Sequence, residues 1–147
     1  ALGGAAGGFV AGPREFVGNL ASASRPSMFS TTLPVFVATG VSRALQLVEE
    51  RPALLKRLRA NIEAFDQATR NVRRQTSTGS PIFMVRANDG VSLDELKSLF
   101  GDQGVFVVGF QYPVVPRGQT LIRFQITASH TAEDIRLAAR SIDKVLA

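Results

Sequence analysis

Between Pro81 and Leu146 the apolar residues keep switching between strand and helix period, and this succession limits the fold more than any other feature of the chain. PIFMVRA, starting at Pro81, is a short apolar run bounded by turn formers, which predicts a buried strand. Ser92 and Glu95 then form a capping-box pattern ahead of Leu93, Leu96, Leu99 and Phe100, a short helix that Gly101 and Gly104 bring to an end. VFVVGF and TLIRFQIT read as strands on either side of the proline-bounded loop QYPVVPRG. A final helix is expected from about Ala132 to Leu146, with Thr131 as its N-cap. Strand, helix, strand, strand, helix is an α+β order, predicting a small, mostly antiparallel sheet covered by helices on one face.

The first half is mostly helical. LGGAAGGFVAG suits a tight loop feeding a short buried strand near Phe9 and Val10, where backbones approach closely. Pro13 suits the first turn of a helix carrying Phe16, Val17, Leu20 and Ala21, which Arg25-Pro26 ends. SMFSTTLP reads as a hydroxyl-rich loop leading into a helix from about Val35 to Glu49. From Arg51-Pro52, the residues Leu55, Leu58, Ile62, Phe65 and Val72 mark one face of a long helix ending near Gln75. The softest internal boundary lies near Arg51-Pro52, with a second at Thr76 to Ser80.

Composition excludes several classes. No cysteine is present, which removes disulfides, thiolate metal sites and thiol nucleophiles together. With one histidine, no two-histidine metal site can be drawn, so no metal is expected. Seventeen Lys and Arg against twelve Asp and Glu leave a net charge of +5. The basic residues are spread over helical faces, apart from Arg70, Arg73 and Arg74, and Tyr112 is the one polar aromatic stacking platform, so a nucleic-acid module is not expected. No run approaches the roughly 18 apolar residues of a membrane span, and the opening lacks a signal-peptide pattern, so the reading is a cytoplasmic protein without membrane contact.

Single motifs decide little. GGAAGG has no GK[ST] after it and precedes its strand, so tight packing accounts for it better than nucleotide binding. His130 reads as a residue ordering the turn before the last helix; a Ser-His-Asp arrangement with Asp134 lacks the G-x-S-x-G elbow. Arg123, between Ile122 and Phe124, points either to solvent or into a pocket, where its fork would hold a planar carboxylate. Ser30, Thr31 and Thr32 either donate to a phosphate at a helix start or cap that helix.

Taken together, ALGGAAGGFVAGPREFV, RPSMFSTTLP, GVFVVGFQYPVVPRGQ and LIRFQITASHTAEDI resemble the α-oxoamine synthases, fold-type I pyridoxal-phosphate enzymes that condense an amino acid with an acyl-CoA. The blocks run from Ala1 to about Ile135 in family order. GFQYPVVPRGQ is most similar to the glycine C-acetyltransferase (2-amino-3-ketobutyrate CoA ligase) branch. FSTTLPV and PIFMVRANDG each lack a proline common in the family.

The resemblance implies a transferase of amino acid metabolism, with the aminotransferase class I/II fold and pyridoxal 5'-phosphate as cofactor, working as a homodimer on an amino acid, glycine first, and an acyl-CoA. It implies that residues 1–50 are a remnant of the cofactor-binding large domain with its connecting helix, and that residues 51–147 are the C-terminal small domain. Arg123 takes the place of the arginine that binds the substrate carboxylate. Ser30, with Thr31 beside it, takes the place of the hydroxyl that reaches the cofactor phosphate of the neighbouring subunit. In the family the glycine-rich opening follows a T-x-G-K whose lysine binds the cofactor. The expectation is therefore a C-terminal fragment without a catalytic residue of its own, inactive alone. The other reading is a truncated, non-catalytic homologue acting as a dimer-forming or regulatory partner.

Overall fold

A computed structural model of the chain describes residues 6–29, 33–72, 76, 79–87 and 90–146. It divides into two compact units, Ala1–Pro52 and Ala53–Ala147.

The first unit is helical: α1 (Arg14–Ala23), α2 (Arg25–Phe29) and α3 (Val35–Glu50). Pro13 stands one place earlier than expected, at the N-cap of α1. Arg25-Pro26 does not simply end α1: it also opens α2, since proline lacks only an N–H that a first helical turn leaves unpaired anyway. The loop expected at SMFSTTLP is therefore helical up to Phe29. The strand expected at Phe9 and Val10 does not form. Both side chains are exposed, and no strand is assigned among the described residues of this unit. Its helices bury no residue, and Phe16, Met28, Phe29, Val35 and Phe36 stand exposed.

The second unit holds a core. It runs α4 (Pro52–Ala68), β1 (Ile82–Arg86), α5 (Leu93–Asp102), β2 (Val108–Phe110), β3 (Leu121–Gln125) and α6 (Ala132–Leu146). The sheet order is β1-β3-β2, both pairs antiparallel. Alternation sends Phe83, Val85, Ile122 and Phe124 to one face, where they meet Ile62 and Phe65 of α4, Leu96 and Phe100 of α5, and Ile135, Ala139 and Ile142 of α6. Helices thus cover one face, and the α+β reading of the sequence holds.

Boundaries moved where local chemistry outweighed periodicity. The helix α4 stops at Ala68, seven residues before Gln75: the Thr69 hydroxyl donates to the Phe65 carbonyl at 2.7 Å, and Val72 packs on the core from a turn. Of VFVVGF only Val108–Phe110 pairs as strand. The reason is how α5 ends. Gly104, at φ 74°, donates to the Gly101 carbonyl at 2.8 Å while Val105 N–H reaches the Phe100 carbonyl at 3.0 Å, a Schellman ending that commits residues 103–105 to the turn.

Gly109 lies on the packed face, opposite Ile122. A Cβ there would sit 1.9 Å from Leu93 Cδ1. Gly109→Ala is expected to destabilise the chain by about 1–3 kcal/mol, because Leu93 must leave its place. Urea unfolding followed by circular dichroism checks this; an unchanged midpoint would show that Leu93 moves freely.

Candidate functional site

Arg123 occupies the middle of the central strand, on the face turned away from the core. Its cross-strand neighbours are Met84 on β1 and Val108 on β2, both apolar. The side chain is half-buried and lines a groove of about 510 Å³ together with Phe106, Gln125, His130, Asp134 and Leu137. Arg123 Nη2 donates to Gln125 Oε1. Among the described residues no ion pair engages the guanidinium. A charged fork on an apolar strip of sheet, with no ion pair to it among the described residues, can receive an external planar anion.

The wall beyond β3 is held by hydrogen bonds. Asn61 of α4 donates through Nδ2 to the carbonyls of Thr127 and His130, each at 2.9 Å. The His130 ring accepts the Thr127 N–H at Nδ1, at 3.2 Å, so the neutral ring carries its proton on Nε2. This makes His130 a turn-ordering residue. It also removes the Ser-His-Asp arrangement, which needs Nδ1 to donate to a carboxylate. Asp134 is occupied elsewhere: Thr131 N–H and Oγ1 reach Asp134 Oδ2 at 2.7 and 2.8 Å, and Asp134 N–H returns to Thr131 Oγ1 at 3.2 Å. Thr131 is thus the cap expected from the sequence, and Ser92 likewise accepts from Glu95 N–H.

The Thr131 main-chain N–H, and then its hydroxyl, hold the Asp134 carboxyl below its ordinary value near 3.8. A lowered carboxyl pKa adds stability that is present above the unfolded value and is lost as pH falls through the folded one. Thr131→Ala is expected to cost about 0.5–2 kcal/mol near neutrality, and its gap from the parent should narrow below about pH 3.8. Unfolding curves at the two pH values check this; a gap indifferent to pH would separate the cap from the Asp134 charge.

Sequence reasoning missed Gln125 and Asn61. Asn61 left a signal: it falls three residues after Leu58 and four before Phe65, a polar residue on an apolar stripe that needs partners. Gln125 left only its position two residues along the strand from Arg123, on the same face. Ser30 and Thr31 lie outside the described residues, as does Thr32. The proline-bounded loop carries Arg117 over the Tyr112 ring, 4.7 Å from its centre. Among the described residues no helix is long and apolar enough to cross a membrane.

A family model described as aminotransferase class I and II matches residues 2–142. The mouse mitochondrial 2-amino-3-ketobutyrate coenzyme A ligase is 39% identical over 92% of this chain and 33% of its own length. The Escherichia coli K12 2-amino-3-ketobutyrate coenzyme A ligase is 37% identical over 99% of the chain and 37% of its own. The 8-amino-7-oxononanoate synthase of Symbiobacterium thermophilum is 35% identical over 97% of the chain and 36% of its own. The chain therefore spans about a third of the length of these curated relatives. Among solved structures, SPT with PLP superposes with a TM-score of 0.80 at 23% identity, over 97% of this chain and 38% of that one. The 8-amino-7-oxononanoate synthase of Francisella tularensis gives 0.72 at 22% identity, over 90% and 39%. At these identities the structures establish a shared fold, that of fold-type I enzymes.

Proposed function

The chain belongs to the aminotransferase class I and II family, and we propose that it is the C-terminal part of a pyridoxal-phosphate-dependent acyl-CoA:amino-acid C-acyltransferase, an α-oxoamine synthase acting on glycine. The observation that carries this reading is Arg123: a half-buried cation at the centre of the sheet, facing away from the core, in a chain whose relatives are ketobutyrate ligases and oxononanoate synthases.

In this reading residues 1–50 are what remains of the cofactor-binding domain and residues 51–147 form the small domain. The exposed Phe16, Phe29, Val35 and Phe36 support it, since such apolar surface suits contact with more protein. Ser30 and Thr31 reach the cofactor phosphate of the neighbouring subunit in a homodimer. The start of α3 suits an anion: Pro34 at its N-cap offers no side-chain acceptor, and its first turn carries no acidic residue. Pyridoxal phosphate, when bound, supplies an electron sink at the substrate's α-carbon.

This chain's own contribution is positional. Arg123 clamps the amino-acid carboxylate through two parallel hydrogen bonds and so fixes how the α-carbon is presented. Apolar Met84 and Val108 beside it limit competition from water. The full-length gene product, supplied with pyridoxal phosphate, glycine and acetyl-CoA, is expected to release the CoA thiol only when both substrates are present, and to carry T-x-G-K immediately before Ala1. Thiol release indifferent to glycine would overturn the reading.

A further inference from the structure

Gln125 follows Arg123 by two residues on β3, so both side chains rise from the same face, about 7 Å apart at their bases. Gln125 is exposed, and its Oε1 accepts from Arg123 Nη2. Its partners in register, Met84 and Val108, are both apolar and offer the guanidinium no charged group to follow. A long, flexible side chain between two apolar neighbours would otherwise sample many directions.

We propose that Gln125 is a positioning and specificity-determining residue, aiming the Arg123 guanidinium into the groove while leaving its charge uncancelled. The inference rests on Arg123 being the carboxylate-binding residue. A neutral amide is suited to this task. It takes one of the guanidinium's five N–H donors and leaves enough for a two-pronged hold on a carboxylate, whereas an acidic residue at 125 would form an internal ion pair and compete with the ligand. Because Oε1 faces Arg123, the amide NH₂ of Gln125 remains as a second, neutral donor beside the same anion. The pair therefore offers a carboxylate a charged fork and one neutral donor side by side.

The test titrates the full-length, cofactor-loaded protein with glycine, and with methylammonium as the control lacking a carboxylate, following the cofactor absorbance. Gln125→Met removes the acceptor at similar volume and should weaken glycine binding about three- to tenfold, while Gln125→Glu should weaken it more than about tenfold. Thermal midpoints should stay within about 2 °C of the parent, as expected for an exposed position, which separates aiming from folding. Equal glycine affinity in the parent and both variants overturns the role of Gln125 and leaves Arg123 standing. Glycine binding that Arg123→Ala leaves unchanged in the same protein overturns the Arg123 reading and this inference with it.

Discussion

On the proposed function, Arg123→Ala in the full-length protein is expected to weaken amino-acid binding by about two to four orders of magnitude, while cofactor absorbance and thermal stability stay near those of the parent. The magnitude comes from two charge-assisted hydrogen bonds, each worth about 1.5–3 kcal/mol when the partner is a carboxylate sheltered from water. Stability should hold because Arg123 is only half-buried and faces away from the packed side of β3, so removing it opens no core cavity. Arg123→Lys should recover part of the affinity, since charge is kept and the planar fork is lost. Titration with glycine at fixed cofactor, with the absorbance spectrum as control, checks both variants against the parent. Affinity within threefold of the parent would show Arg123 to be an ordinary solvated strand residue.

The contrast between the two units shows what a sequence can disclose. β1, β3, α5 and α6 were legible because periodicity, caps and breakers agreed: Ser92, Gly104 and Thr131 mark ends that the hydrogen bonds then realise. Phe9 and Val10 misled, because an apolar run predicts a strand only where a neighbouring strand supplies hydrogen bonds, and none is assigned among the described residues of that unit. VFVVGF misled for a different reason. Its first residues belong to the turn that ends α5, and a helix ending of that kind overrides β-propensity. In the site, Arg123 was visible as a cation on a strand, but its direction was not; the pairing with Met84 and Val108 decides it. Gln125 was invisible as a partner, since the contact depends on rotamers that no pattern of residue types records.

Phe65→Ala is the stability change with the largest expected effect, about 3–5 kcal/mol. Phe65 is fully buried on α4 and meets the Phe83 ring edge-on, with centres 4.7 Å apart, and the Phe124 ring at 5.8 Å. Phe124 in turn meets Phe100 of α5 at 5.4 Å, so one chain of rings ties two helices to β1 and β3. Removing Phe65 leaves a cavity whose walls are the largest and stiffest side chains of the core, which cannot collapse into it without moving the sheet. A domain of this size has a net stability of about 5–15 kcal/mol, so the variant should lose a large share of it. The damage should also reach the site, because Phe124 is the strand neighbour of Arg123 and shares its backbone geometry. Phe65→Leu should cost less, since most of the volume is kept. Urea unfolding by far-ultraviolet circular dichroism provides the measurement, as the chain has no tryptophan to report. A loss below about 1 kcal/mol for Phe65→Ala would mean that the aromatic chain is not what holds α4 to the sheet.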